Sequence, residues 1–520
     1  MNLYILYTGG TIGCVGIPLT PMQGKEFQAA FEARVLPMIT TQIPGIDVKI
    51  DYFDHTLDST NMQPSDWVLM AQKIYENYRD FDAFLVLHGT DTMAWTASAL
   101  SFLLPGLSKP VTVTGSQLPL FYQQSQDEDP KDYQLLYNTD AIRNVLGGIQ
   151  FLTMGGPEAG LYFADHFFRG NRTVKSNASE FIAFSSPNYH ALGKYGVLPT
   201  LYSQYVLPVP ESTSIDNNYD QVGAALATIA ANIGKKSVLQ FLLFPAYYAD
   251  DGDSSLLVSM LTQIKAVEPT LAGIIFESYG EGNIPDYQSM RTLLTKLRRS
   301  DHKVLVDCTQ VFAGNVNYNA YATGAWLKAA GVISGHDMTP IAALTKLIVL
   351  LARNPEAQIE DIELQMGESL AGELTSYYSI SGYRNEFLSP GESLFSINGN
   401  YQFKNTSAGV LQLIDVSDPQ APVVKWKQEI GTKGRLVMQS DNNLVFYDKS
   451  YNPLWATNTA RIGHNSYFKV GNDGSLALYN MDTSKLEYYV YNPATTASLD
   501  EAITPADIEE QPFRVLTRRR

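Results

Sequence analysis

Through about residue 350, short runs of apolar and β-branched side chains alternate with longer stretches whose apolar positions recur at helical spacing. Leu3–Tyr7, Ala83–Leu87, Val111–Thr114, Leu271–Phe276 and Val304–Val306 are short runs with no polar alternation. That texture suits strands buried on both faces. Between them, Ser65–Asp80 carries Trp67, Met70, Ile74 and Tyr78 on one helical face behind a Pro-Ser-Asp start. Pro340–Ala352 is almost wholly apolar and follows Ser-Gly-His-Asp, a second helix. Strand and helix in alternation predict an α/β fold: a mainly parallel sheet with helices on both faces.

After Thr375 the pattern changes. Helical periodicity fades, tyrosines cluster, and short β runs are separated by Asn-Gly, Asn-Asn and Asn-Asp-Gly turns about every ten residues. Residues 376–390 read as a linker, 391–493 as an all-β module and 494–520 as a polar tail.

Length and composition narrow the function classes. At about 150 residues per domain, 520 residues make roughly three folding units. With 45% hydrophobic residues the cores are sizeable, so wholesale disorder is excluded. Acidic side chains outnumber basic ones 53 to 37, and a net charge of −16 repels phosphate backbones, so nucleic acid is not expected as a partner. The basic run Arg518, Arg519 and Arg520, after the acidic stretch from Asp500 to Glu510, reads as part of a solvated tail. Cys14 and Cys308 cannot make a disulfide framework, and seven scattered histidines offer no zinc spacing; no metal or cofactor is expected. No window approaches the ~18 apolar residues of a membrane span. Met1–Tyr7 lacks a basic region and runs into a glycine turn, so it reads as a first strand and not a signal peptide. A cytoplasmic protein is expected, with export by a route that needs no signal peptide left open.

Three strand ends carry polar loops: Thr8-Gly9-Gly10-Thr11-Ile12-Gly13, His88-Gly89-Thr90-Asp91-Thr92 and Thr114-Gly115-Ser116-Gln117. In an open parallel sheet ligands bind at the carboxyl ends of strands, so the three should converge on one crevice. A nucleotide-phosphate loop fails on spacing: Thr8 stands where GxGxxG needs its first glycine, and no Lys-Ser/Thr follows. By itself the Gly-Gly-Thr turn reads better as a tight β–α connection. A threonine hydroxyl becomes nucleophilic only beside a base, and a lysine held neutral can serve. Lys175, in Arg169-Gly170-Asn171-Arg172-Thr173-Val174-Lys175, is the candidate; alone, it would pass for a solvated loop residue.

Together these segments are more telling. Tyr7 to Gly13, Asp58-Ser59, His88 to Met93, Thr114 to Pro119 and Arg169 to Lys175 resemble, in this order, the bacterial-type L-asparaginases, and most closely their type I, cytosolic branch. Ser278 to Pro285, Tyr321 to Gly324 and Gly372 to Thr375 extend the resemblance over about residues 1–375. It implies two α/β subdomains, 1–195 and 196–375, and hydrolysis of a side-chain amide through a covalent acyl-enzyme. It further implies Thr11 as primary nucleophile and Thr90, Asp91 and Lys175 as a second triad, in which Lys175 relays a proton and Asp91 also binds the substrate ammonium. Asp58, Ser59 and Thr60, with Gly89 and Ser116, would hold the substrate. Asn283 matches a position that in relatives reaches a neighbouring subunit's site, which implies a homodimer or homotetramer. One departure stands out: many relatives carry a tyrosine on the loop after the first threonine, and Ile12 to Ala30 contains none.

In the second half, Gln439, Asp441, Asn443, Val445 and Tyr447 fall at alternate positions, so a strand would put all five on one face, with Val445 against an apolar patch of a sugar. This QxDxNxVxY spacing, followed by Pro453-Leu454-Trp455-Ala456-Thr457-Asn458-Thr459, resembles the bulb-type mannose-binding lectins. The resemblance implies a β-prism of three pseudo-repeats with one mannose-type glycan site. Asn405, Ser407, Gly409, Leu411 and Leu413 would take the first repeat's positions, and Gly471, Asp473, Ser475, Ala477 and Tyr479 the third's. The expected activity is hydrolysis of L-asparagine to L-aspartate and ammonia, with an appended carbohydrate-binding module. A glutaminase or dual-specificity amidase is the nearest alternative, since one methylene changes pocket discrimination by only about 1–3 kcal/mol. An inactive asparaginase scaffold serving as a glycan-binding protein is the alternative from another class.

Overall fold

The computed structural model describes residues 1–502, apart from 126, 203–204, 208–213, 248–254, 317–321, 368, 376–378, 383–385, 389, 397–399, 419–420, 462–465, 481–484 and 500. The arginine run at the C-terminus and most of the expected tail lie outside the described residues, as does Tyr321. The described chain forms two compact units, one running to Thr375 and one beyond it.

The first unit is built on β1 (Asn2–Gly9), β2 (Asp47–Leu57), β3 (Ala83–Leu87), β4 (Val111–Thr114), β5 (Ala159–Phe163), β6 (His166–Arg169), β7 (Gly193–Tyr195) and β8 (Pro199–Leu201), in the order β8-β7-β6-β5-β4-β3-β1-β2. The strands from β2 to β5 pair in parallel, and β6, β7 and β8 are antiparallel. The sheet is therefore mixed. The division expected after residue 195 falls inside the β7–β8 hairpin, where Lys194 pairs with Thr200, so the first sheet runs on to Leu201.

The unbroken apolar runs have a simple cause. Tyr4, Leu6, Phe84 and Val86 face one core, under α1 (Pro64–Glu76) and α2 (Met93–Leu103). Leu3, Ile5, Tyr7, Leu85 and Leu87 face the other, under the helix Gly24–Arg34 and α3 (Ala141–Met154). Alternate residues point to opposite faces and both faces are covered, so no position can be polar. In α1 the first turn is closed by a capping box between Gln63 and Asp66. Tyr78 lies beyond the helix end at Glu76 but stays fully buried. A second sheet, all parallel, pairs Ser237–Leu242, Leu271–Ser278, Val304–Thr309 and Ile333–Ser334, and α4 (Pro340–Arg353) is buried along most of its length. Among the described residues no helix is long and apolar enough to cross a membrane.

The second unit consists of three small antiparallel sheets around one core containing Leu394, Phe403, Leu411, Leu436, Phe446, Phe468 and Leu478. One sheet holds Glu392–Phe395, Tyr401–Asn405, Val410–Asp415, Val423–Glu429 and Glu501–Ala502. Another adds Phe387–Leu388 to Gly434–Met438, Leu444–Asp448 and Pro453–Ala456; the third adds Ser379–Ser381 to Ser466–Val470, Leu476–Asn480 and Leu486–Tyr491. Two strands thus occupy the stretch expected as linker, and one lies in the expected tail.

A turn recurs in each sheet. Thr406 N–H donates to the Val410 carbonyl (2.9 Å), Gln439 to Asn443 (2.8 Å) and Gly471 to Ser475 (2.8 Å). The fourth residue of each turn is left-handed: Gly409 at φ 78°, Asn442 at 75° and Gly474 at 80°. This register corrects the first repeat by one residue. Leu411 and Leu413 are fully buried core residues, equivalent to Leu444 and Phe446, so Thr406, Ala408, Val410, Gln412 and Ile414 are the counterparts of the middle repeat's five. A one-residue slip exchanges the faces of a strand.

Candidate active site

Strands β1, β3 and β4 are neighbours and parallel, so the loops bearing Thr11, Thr90 and Ser116 leave the sheet at the same edge. Two of the loops interlock. Gly10 is left-handed (φ 82°), and a Cβ there would lie 2.3 Å from the Gly89 backbone; only glycine admits the contact. Thr11 opens a short 3-10 turn ending at Gly13, is partly buried, and its hydroxyl has no hydrogen-bond partner among the described residues.

Thr90, Asp91 and Lys175 come together. Lys175 Nζ donates to Thr90 Oγ1 at 2.9 Å and to Asp91 Oδ1 at 2.8 Å. Thr90 in turn donates to Gln117 Oε1 at 3.4 Å. Thr90 and the Lys175 side chain are largely buried, whereas half of Asp91's side chain is exposed, leaving its carboxylate open to a charged ligand. The lysine nitrogen and threonine oxygen are therefore within proton-transfer distance in a site partly shielded from water.

Asp58, Ser59 and Thr60 follow β2. Asp58 Oδ1 accepts from the Thr60 N–H and hydroxyl, both at 3.0 Å, leaving its other oxygen and an exposed edge. Ser59 is buried against Gly89, where a Cβ would come 2.4 Å from its hydroxyl oxygen, and its carbonyl accepts from Thr92 Oγ1 at 2.8 Å. Ser116 is fully buried, its hydroxyl donating to the Leu118 carbonyl. Asn283 sits in a turn after the second sheet's Leu271–Ser278 strand, where it exchanges backbone hydrogen bonds with Tyr279 (2.9 and 3.1 Å). No hydrogen bond joins it to Thr11, Thr90, Asp91 or Lys175.

Several supports escape a reading of the sequence. His88 is fully buried; its Nδ1–H donates to the Gly89 carbonyl (2.7 Å), leaving Nε2 to accept from Thr96 (2.9 Å). Burial pushes its pKa down to about 4, against the pull of the Gly89 carbonyl, so the imidazole is neutral at pH 7 and acts as a strut. Asp140 accepts from the Gln117 and Leu118 N–H groups at 3.0 Å each, and Asn144 donates to the Gly115 carbonyl at 2.9 Å, fixing the third loop from α3. The i, i+4 spacing of Asp140 and Asn144 is the only sequence signal for this pair.

The loop that lacks a tyrosine is a small hairpin of Cys14–Val15 and Thr20–Pro21, exposing Ile17 and Leu19. Cys14 is buried, donates to the Gly10 carbonyl at 3.4 Å, and burial pushes its thiol up to about 11, which makes it a poor nucleophile near neutral pH.

In the second unit the five alternating residues do not share a strand face. Met438 pairs with Leu444, and residues 439–443 between them form the turn with left-handed Asn442; only Val445 and Tyr447 are strand positions. Val445 is buried, so it is not free to meet a ligand. The turn nevertheless gathers the polar groups. Gln439 Nε2 donates to Tyr447 OH (2.8 Å), Asp441 Oδ1 accepts the Asn443 N–H (3.0 Å), and Asn443 Oδ1 accepts from Thr457 Oγ1 (3.0 Å).

Comparison with known proteins agrees with the α/β fold of the first unit. Residues 2–206 match the family model for the asparaginase N-terminal domain, and 259–364 match that for the glutaminase/asparaginase C-terminal domain. The chain is 35% identical to L-asparaginase 1 of Escherichia coli K12 over 384 residues, covering 72% of this chain and 98% of that protein. Among solved structures, L-asparaginase I of Vibrio cholerae superposes with a TM-score of 0.56 at 32% identity, covering 72% of this chain and 99% of that one. The thermostable L-asparaginase of Thermococcus kodakarensis gives a TM-score of 0.57 at 27% identity, with 72% and 100% coverage. The chain belongs to the asparaginase family, alongside its type I bacterial members, and is an amidohydrolase.

Proposed function

We propose that the protein hydrolyses L-asparagine to L-aspartate and ammonia through a threonyl ester, and that its second unit binds a mannose-type glycan. The observation that carries the enzymatic reading is the Lys175 amine, bonded at once to Thr90 and Asp91. In this reading Thr11 Oγ1 adds to the side-chain amide carbon. The C–N bond breaks as the threonine proton passes to the departing ammonia. Water, deprotonated through Thr90 and Lys175, then adds to the ester, and its proton returns to Thr11 as aspartate leaves. Asp91 meets the substrate ammonium, and Asp58, Ser59 and Thr60 hold its α-groups. Asn283 completes the site of a neighbouring subunit in a homodimer or homotetramer. The test is ammonia release from asparagine and from glutamine by purified protein, with light scattering on the same sample. A comparable rate on glutamine would make it a dual amidase, release from neither would leave an inactive scaffold, and full activity in a monomer would sink the role of Asn283.

The glycan reading, a β-prism of three pseudo-repeats, is supported by the three matching turns, of which only the middle one carries Gln, Asp and Asn together. Gln439, Asp441, Asn443 and Tyr447 are the proposed sugar ligands, while Val445 is buried. A site this open is expected to bind monosaccharide in the millimolar range, about −4 kcal/mol, so useful avidity would come from the oligomer. Titration with a mannose-rich polymer tests it. No response, or a response unchanged in Asp441→Ala plus Asn443→Ala, would reduce the unit to a structural appendage.

A further inference from the structure

The segment carrying Lys175 is gripped from behind by groups that water does not reach. Arg172 is 1% exposed; its Nε donates to the Gly372 carbonyl at 2.7 Å, and Nη1 lies 3.0 Å from Asp337 Oδ2. Asp337, also buried, accepts from Thr375 twice, from its N–H at 2.8 Å and its hydroxyl at 2.6 Å. Asn171 adds a 2.8 Å bond to the Ala371 carbonyl. On the other side, Gly170 presses on α2: a Cβ there would lie 2.7 Å from the Ala97 carbonyl oxygen. Helix α2 begins two residues after Asp91. The turn Gly170–Arg172 is thus held between the helix that follows Thr90 and Asp91 and the segment ending at Thr375, the last residue of the first unit.

We propose that Asp337 and Thr375 are positioning residues for Lys175: acting through Arg172, they set where the short strand Val174–Lys175 sits relative to α2. Neither hydrogen-bonds to the lysine. The inference rests on Lys175 being the proton relay. The reason placement should matter is that Nζ bonds two acceptors, at 2.9 and 2.8 Å, from a side chain only 18% exposed. A shift of about 1 Å breaks one of the two, and misplacement on that scale can lower turnover by about 100-fold. Asp58, Ser59 and Thr60 stand on a different loop, and Asp91 is held just ahead of α2 rather than on the lysine's strand, so substrate contacts stay in place and the loss should appear mainly in kcat and not in KM.

The test is steady-state kinetics on asparagine with the full-length chain, well below each variant's melting temperature. Thr375→Val keeps the Arg172–Asp337 ion pair but removes the hydroxyl; it should lower kcat by about 10- to 100-fold with KM within about twofold. Thr375→Ser should restore kcat to within about twofold, which a purely bulk-stability role does not require. Asp337→Asn should lower kcat further; if it does not fold, the Thr375 pair decides alone. Wild-type kcat in Thr375→Val, a loss confined to KM, or a loss that serine does not restore would overturn the proposal. Lys175→Met is run alongside: near-wild-type turnover there sinks the relay reading and this proposal with it, whereas an inactive Lys175→Met beside a fully active Thr375→Val sinks the positioning role alone.

Discussion

In the first unit the candidate residues Thr11, Thr90 and Ser116 stand on three loops at the ends of neighbouring parallel strands, whereas in the second Gln439, Asp441 and Asn443 share one five-residue turn. The first arrangement needs a long-range fold to exist at all, with Lys175 arriving from 85 residues after Thr90 in the chain. The second is local, and is rebuilt in each of three sheets by the same hydrogen bonds. The first unit also buries charge: the ion pair Lys346–Glu373, at 2.7 Å with neither side chain exposed, has no counterpart of that burial among the described residues of the second unit. A turn that repeats locally needs only a residue that tolerates φ near +75°.

The largest effects should separate the two units cleanly. Thr11→Val and Lys175→Met should each lower kcat on asparagine by several orders of magnitude, as parts of one catalytic unit, and leave binding to a mannose-rich polymer unchanged. Asp441→Ala plus Asn443→Ala should do the reverse. Loss of both functions in either variant would break the comparison.

Stability should differ next. Lys346→Met leaves the Glu373 carboxylate buried without its partner ion and should cost about 3–5 kcal/mol, read as a shift in urea midpoint at constant slope. Removing Lys427 from its surface pair with Glu429 in the second unit should cost at most about 1 kcal/mol.

Acid should act on the first unit before the second. Burial holds His88 and His336 at about 4, below an unfolded value near 6.5. A depressed histidine pKa means the unfolded chain binds protons first, so this stability is fully present above pH 6.5. It is lost as pH falls from there toward 4, by up to about 3 kcal/mol for each group. The second unit has no histidine among its described residues. Denaturant titrations at pH 7 and pH 4.5, following each unit separately, should show the larger drop in the first; equal drops would contradict it.

The smallest effect tests the turn. Asn442→Ala should destabilise by about 1 kcal/mol, because alanine resists left-handed backbone, and Asn442→Gly should be near neutral or mildly stabilising. A benign alanine variant would mean that the turn does not set the register.

Much of this was legible in the chain. The runs Leu3–Tyr7 and Ala83–Leu87 are strands because both sheet faces are covered, and a continuous apolar run has no other comfortable home in a parallel sheet. The loops at Thr11 and Thr90 were legible because glycines mark where backbone must approach backbone. His88, Asp140 and Asn144 were not legible as supports, since a buried polar residue announces its role only through partners distant in the chain. The alternation from Gln439 to Tyr447 misled because period two describes a strand, and one left-handed residue turned half of it into a hairpin. The same uncertainty shifted the first repeat by one residue.

The amino-acid order by itself determined the α/β character to Thr375, the change to β structure beyond it, and the residue types gathered at the candidate site, because all three depend on local spacing and side-chain identity. Only the tertiary structure decided that Lys175 bridges Thr90 and Asp91, that Arg172 and Asp337 clamp its segment to Thr375, and which of two registers each β repeat adopts. Those outcomes depend on where the chain meets itself again, and the burial that selects each meeting is shared among elements too far apart for any window of sequence to hold.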